Sequence, residues 1–383
     1  MKLDPYKHKE RYLKWKEGIG DGIEGLGEYN FQLLKRYVTD MERGLNVAQV
    51  SVKGPRGFAR LNTIKDRFVV FSKRFKEHYN LDKITDVSEE QLIGFFTDMG
   101  NGTIKTRYGV AFRSTETLSR IFKAFWHWWM KVNKKQGIEI KDITTDLDTR
   151  QEKPKWVYLN EEQVKKLCEN AKYEYKVLIM FLFDTGIRSP TELMNVKVSD
   201  LYNDFKELNI REETSKTFGR RIKLMLCSQF IKDYIKSKGL LPENYLFNIT
   251  PSLVNQYLKR LSERVFGNGE SPAGARYPEL TMYDFRHCAC CYWLPRYKSE
   301  SALKYRFGWK KSDKIHYYSE LLGMKDTIAE EDLLVDVTKT EIEKKLERSE
   351  KEKEVMQERL QSMEMQMAKI LEITNQLHMR IQT

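Results

Sequence analysis

Between Asp142 and Trp156 the sequence loses its periodicity: the stretch is polar and charged and ends in Lys153-Pro154-Lys155. Such a run neither extends a helix nor supplies a core strand. A chain of 383 residues exceeds one compact core of ordinary size, so residues 142–156 are the expected linker, dividing residues 1–150 from 151–326. Near residue 340 the composition changes again, to Glu, Lys, Gln and Met without Gly or Pro. Residues 327–383 therefore form a third region.

The first region is expected to be helical. Leu118, Ile121, Phe122, Phe125, Trp128, Trp129 and Val132 recur at helical spacing, an aromatic stripe that belongs in a core. Lys123, Lys131, Lys134 and Lys135 are its candidates for facing a polyanion. In the second region, Asn160-x-x-Gln163 resembles a capping box. Val177 to Phe183 is apolar enough for a buried helix, which Gly186 ends. Ser189-Pro190-Thr191-Glu192 supplies an N-cap, a first-turn proline and a glutamate at the third position, predicting another helix. Leu208 and Ile210, then Ile222, Leu224 and Leu226, alternate with period two and predict a hairpin over about 206–226, with Lys216 near its turn. Thr250-Pro251 and Thr281-x-x-Asp284 open two further helices. In the third region, positions from Ile342 through Met356, Leu360 and Thr374 to Ile381 fall at alternating steps of four and three; nine of the twelve are apolar, as in a coiled coil. A single solvated helix is the plainer alternative. The expected fold class is mainly α, with a small β-sheet in the second domain, a helical N-terminal domain and a C-terminal coiled coil.

Charge narrows the partners. Lysine plus arginine exceed aspartate plus glutamate by 8 in each of the first two regions, whereas the third carries −4. Two successive basic domains suit a polyanion gripped by both, because each neutralised phosphate releases a counterion. The five cysteines are odd in number, three of them in His287-Cys288-Ala289-Cys290-Cys291. They imply no disulfide framework, and no second pair completes a metal site, so they are expected as buried small residues. No N-terminal apolar segment and no run of about 18 apolar residues occurs, so an intracellular, cytoplasmic protein is expected, with no membrane partner.

Four local patterns follow in order: Asp184-Thr185-Gly186-Ile187-Arg188; Lys216-Thr217; Tyr283-Asp284-Phe285-Arg286-His287; and Gly308-Trp309 with Tyr318 nine residues beyond. Their order and spacing resemble the tyrosine recombinases, or phage-type integrases. Tyr318-Ser-Glu-Leu-Leu-Gly, with Gly-Trp and Ser-Asp-Lys upstream, is similar to archaeal virus and plasmid integrases. The resemblance covers about 150–323 through motifs, extends loosely over 30–150 as a core-type DNA-binding domain, and does not reach the tail.

The resemblance implies a site-specific recombinase acting on double-stranded DNA, without nucleotide or metal cofactor. Arg188 and Arg286 would neutralise the non-bridging phosphate oxygens with forks that keep their charge. Tyr318 would attack the phosphodiester to give a 3′-phosphotyrosyl bond, with Tyr317 the competing candidate. Lys216 would protonate the departing 5′ oxygen, with Lys223 as fallback. Arg220 and Arg221 beside it are candidate DNA contacts. Glu192 lies four residues after Arg188, where the family usually has three, and either braces Arg188 or completes the capping box. Tyr283 stands where the family usually carries His; a phenol titrates near 10 and serves better as a hydrogen-bond donor. His287 is expected to be structural. Trp309, at the family's usual His, can donate to phosphate or simply belong to the core. Two other readings stay open: a type IB-like topoisomerase, and a non-enzymatic architectural protein with a coiled coil. The tail implies a homo-oligomer on DNA. Host cytoplasm or nucleoid is the expected location.

Overall fold

A computed structural model of the chain describes residues 4–20, 22–45, 54–106, 108–112, 114–150, 153–297 and 299–322, together with Lys353, Met356, Gln357 and Leu360. Two compact units arise, Met1–Tyr318 and Ser319–Thr383. In the second, the four described residues from Lys353 to Leu360 are helical and exposed. The expected coiled-coil seam otherwise lies outside the described residues.

The N-terminal part comprises α1 (His8–Gly18), α2 (Glu28–Glu42), α3 (Phe58–Tyr79), α4 (Glu89–Asn101) and α5 (Thr115–Lys134). Their apolar faces form one core whose buried members run from Tyr12 to Leu147. At its centre Phe71, Phe75, Phe95 and Phe122 meet mainly edge to face, the arrangement the ring quadrupole favours. The polar tips are satisfied: Trp128 Nε1 donates to Asp40 (2.9 Å) and Trp126 Nε1 to the Lys141 carbonyl (2.9 Å).

The linker is shorter than expected. Ile143 and Leu147 are buried in the N-terminal core, and Thr144 donates to the Asp142 carboxylate, which also pairs with His127 on α5. Two apolar residues in a polar run are too few to register as a period, yet they pin residues 142–147 to α5. At the other end Trp156 is buried, bonded to the Ala273 and Ala275 backbone.

The following part contains α6 (Glu161–Glu169), α7 (Tyr173–Thr185), strands β1 (Leu201–Tyr202), β2 (Glu207–Ile210) and β3 (Arg220–Lys223), then α8 (Ser228–Lys238), α9 (Pro251–Phe266), α10 (Asp284–Trp293), α11 (Glu300–Phe307) and α12 (Asp313–Leu321). Asn160 and Gln163 form the expected capping box, and Pro251 opens α9. The sheet is antiparallel in order β1-β2-β3, with Leu208 opposite Leu201 and Ile222. The two-residue β1 is too short to show alternation. The cysteines are buried and free; Cys288 Sγ accepts from Leu159 N (3.3 Å). α10 starts at Asp284, later than expected, and the Asp284 carboxylate accepts from Thr281 N and Oγ1 just ahead of it. No helix among the described residues is long and apolar enough to cross a membrane.

Gly186 ends α7 at φ 55°, and a Cβ there would lie 2.2 Å from Phe307 Cε1. Gly239 ends α8 at φ 60° with no atom within 4 Å of its virtual Cβ. Gly239→Ala should therefore cost only the left-handed backbone penalty, about 1–2 kcal/mol, whereas Gly186→Ala adds about 1–3 kcal/mol of overpacking. Urea unfolding of the two variants measures the difference; equal losses would show that Phe307 yields freely.

Candidate active site

Arg188 follows the α7 terminus directly. The helix expected from Ser189 is absent: residues 189–192 form a turn leading into a short 3-10 segment, Leu193–Asn195. The Ser189 hydroxyl is buried and caps nothing. Glu192 instead folds back, its carboxylate accepting from Arg188 N (3.1 Å) and Arg188 Nη1 (2.7 Å). The turn absorbs the extra residue between arginine and acid. The same carboxylate takes Arg220 Nη2 at 2.8 Å and Ser215 Oγ at 2.9 Å. Burial pushes Glu192 up, but the hydrogen bonds and charges of Arg220 and Arg188 outweigh it and hold the group at about 2.

Arg220, expected to face DNA, is therefore a buried brace. Its side chain is fully enclosed and also donates Nε to the Arg306 carbonyl (2.9 Å). The signal was present: Arg220 precedes Ile222 by two, so period two places it on the inward face of β3. Arg221 faces out, 4.2 Å from the Tyr202 ring centre.

Two arginines from distant segments meet on consecutive carbonyls. Arg188 Nη2 donates to Gly308 O (2.7 Å), and Arg286 donates Nη2 to Phe307 O and Nη1 to Gly186 O, each at 2.6 Å. Arg286 is buried, which lowers its pKa, Cys290 opposing and Arg188 adding to the fall. Gly308 accepts this crowding because it lacks a Cβ: at φ 62° one would sit 2.9 Å from Arg220 Nη1 and 3.1 Å from Arg188 Nη1. Lys216 is exposed in the β2–β3 connection, between two clamped neighbours: Ser215 on Glu192, and Thr217, whose Oγ1 donates to Gly308 O at 2.9 Å.

Trp309 stacks on Tyr318, ring centres 5.9 Å apart at 13°. Tyr318 is 3% exposed. Burial raises its phenol well above 10, Cys290 adding to the rise and Arg286 opposing it. Its hydroxyl lies 2.5 Å from His287 Nδ1. Tyr317 is directed elsewhere, its hydroxyl accepting from Trp156 Nε1 (2.7 Å) and donating to Pro154 O (3.2 Å). Tyr283 is 48% exposed ahead of α10 and does not share Arg286's burial.

The candidate lysines of the N-terminal part lie on α5 and at its C-cap, Lys135. Lys134 and Lys135 are exposed and Lys131 half-buried, while Lys123 is tied to the Thr144 carbonyl (3.1 Å). Sequence reasoning missed Ser215, Trp156 and the pair Asp184–Arg306 (2.9 Å), both members buried. Asp184 also takes the Leu226 and Cys227 amides. Among the described residues no group of three His, Cys, Asp or Glu side chains is placed to hold a metal.

Because the Glu192 carboxyl is held below its ordinary 4.5, its contribution to stability is complete above pH 4.5. It is lost as pH falls from 4.5 towards about 2. Glu192→Gln should lose about 3–5 kcal/mol at neutral pH, the usual cost of breaking a buried pair, and should shed that part of the acid sensitivity. Urea unfolding at a series of pH values checks both; a variant as acid-sensitive as the parent would contradict them.

Residues 157–323 match the sequence model of the phage integrase family. No curated protein matches the chain. Among solved structures, the Tn1549 transposon integrase in complex with transposon right end DNA shares 15% identity at a TM-score of 0.53, over 76% of this chain and 93% of that one. The lambda integrase dimer bound to a COC′ core site shares 14% at 0.53, over 77% and 78%. XerH site-specific recombinase bound to palindromic difH shares 15% at 0.51, over 69% and 77%. At such identities the likeness is one of fold. The family match is confined to one segment: residues 157–323 form a phage integrase family domain.

Proposed function

We propose that this chain is a site-specific DNA recombinase that cuts and rejoins DNA through a phosphotyrosyl bond. The observation that carries the reading is the convergence on Phe307-Gly308-Trp309. Arg286 bonds the first carbonyl, Arg188 and Thr217 the second, and Trp309 stacks on Tyr318. A scissile phosphate at this point meets two guanidinium forks for its non-bridging oxygens and the Lys216 ammonium for its leaving 5′ oxygen. Tyr318 is the nucleophile. The phosphotyrosyl ester conserves the bond, so a 5′-hydroxyl of partner DNA reverses the step without an energy source. The two basic regions, 1–150 and 151–326, grip duplex DNA between them, with Lys134, Lys135 and Arg221 as exposed contacts, and the protein works in the cytoplasm where that DNA lies.

Tyr318→Phe removes one oxygen, so folding and DNA binding should persist while covalent adducts on nicked DNA, resistant to denaturant, vanish; Tyr317→Phe should still form them. The reverse result reassigns the nucleophile. Unchanged adducts in both variants would place the nucleophile on another residue, and a parent protein without adducts would remove the enzymatic reading.

The tail, residues 327–383, brings protomers together on DNA. Support comes from its seam: Met356 and Leu360 are 65% and 55% exposed on helical backbone, and an apolar seam at 3.5-residue spacing needs a second helix to cover it. Residues 1–326 should bind and cleave DNA but assemble less readily, while 340–383 alone should form a helical oligomer. Sedimentation that finds the isolated tail monomeric at high concentration refutes this role.

A further inference from the structure

Burial takes from Tyr318 the water that would otherwise accept its proton. At 3% exposure the phenol is harder to ionise than in solution, and attack on phosphorus requires a proton acceptor within hydrogen-bond reach of its oxygen. Tyr283, where the resembling family usually carries histidine, is half-exposed and brings a phenol there in place of an imidazole.

One turn further along α10 an imidazole makes the contact that Tyr283 does not. His287 Nδ1 is 2.5 Å from the Tyr318 hydroxyl. The ring is held on two sides: it stacks on Trp156, centres 4.7 Å apart at 29°, and takes the edge of Tyr283 at 5.2 Å and 77°. Neutral imidazole is the one side chain that accepts a proton readily near neutral pH. A ring accepting at Nδ1 carries its own proton on Nε2.

Resting on the recombinase reading above, we propose that His287 is the catalytic base that takes the proton of Tyr318. As the bond from Tyr318 Oη to phosphorus forms, the Oη proton passes to His287 Nδ1. The bond from phosphorus to the 5′ oxygen breaks, and that oxygen takes a proton from Lys216 Nζ. In the return step a 5′-hydroxyl gives its proton to Lys216 and attacks phosphorus, while His287 hands its proton back to Tyr318. No proton is consumed over the two steps. Trp156 acts as a positioning residue, fixing the plane of the imidazole.

The test uses the full chain on nicked DNA, with either oxygen or sulfur at the bridging 5′ position. Sulfur leaves without a proton, so it relieves the loss of the acid but not of the base. His287→Ala and His287→Gln should bind DNA normally and form the adduct at least about 10²-fold more slowly on both substrates. Free imidazole should restore part of the rate to His287→Ala. Lys216→Ala, in contrast, should recover on the sulfur substrate. Should His287→Ala fail to fold, His287→Gln carries the test, since its amide fills the space yet cannot take up the proton. A rate for His287→Gln within about threefold of the parent, or rescue of either His287 variant by sulfur, overturns the assignment. A parent protein that forms no adduct at all overturns the recombinase reading itself, a result distinct from both.

Discussion

A single buried carboxylate organises the catalytic region. Glu192 lies between Arg188 and Arg220, and its two oxygens also hold Ser215 and the Arg188 amide. Removing an ion from water costs several kcal/mol, and the cost is recovered only when every lone pair finds a donor. Here each does. The turn after α7, the start of β3 and the loop carrying Lys216 are thus fastened to one point. Gly308 packs against the same arginines because it has no side chain to exclude them.

The arginine forks are engaged by the protein's own backbone. Arg188 and Arg286 donate to the carbonyls of Gly308, Phe307 and Gly186, which fixes the plane of each guanidinium. In the proposed reaction, donors organised during folding would need little reorientation as charge develops on phosphorus. Tyr318 is the opposite case, enclosed between Trp309, Trp156 and His287.

Much of this was legible in the sequence where the signal is local. The Asn160 capping box, the glycine end of α7 and the proline start of α9 depend on a few neighbouring residues, and all appear where expected. The order of the arginines, lysine and tyrosine pointed to the right fold. Readings failed where a distant partner decides the outcome. Ser189-Pro190-Thr191-Glu192 has the composition of a helix start, but Arg220, 28 residues on, competes for the Glu192 carboxylate. Arg220 looked like a surface cation because it follows a lysine-bearing turn, although its register with Ile222 marks it as inward. Residues 142–147 looked like free linker because only Ile143 and Leu147 betray their packing. His287 could be located in sequence, but its meeting with Tyr318 across 31 residues could not.

The hydrogen bond from Trp156 to Tyr317 joins residues 161 positions apart, near the two ends of the catalytic region. A region whose first and last segments touch is a closed module, since the chain enters and leaves at one place. Such a module can be carried between proteins with its interior undisturbed, because changing the flanking segments requires no new path through the core. What it cannot shed is Trp156 itself, which belongs by sequence to the border and by its contacts to the surroundings of Tyr318 and His287.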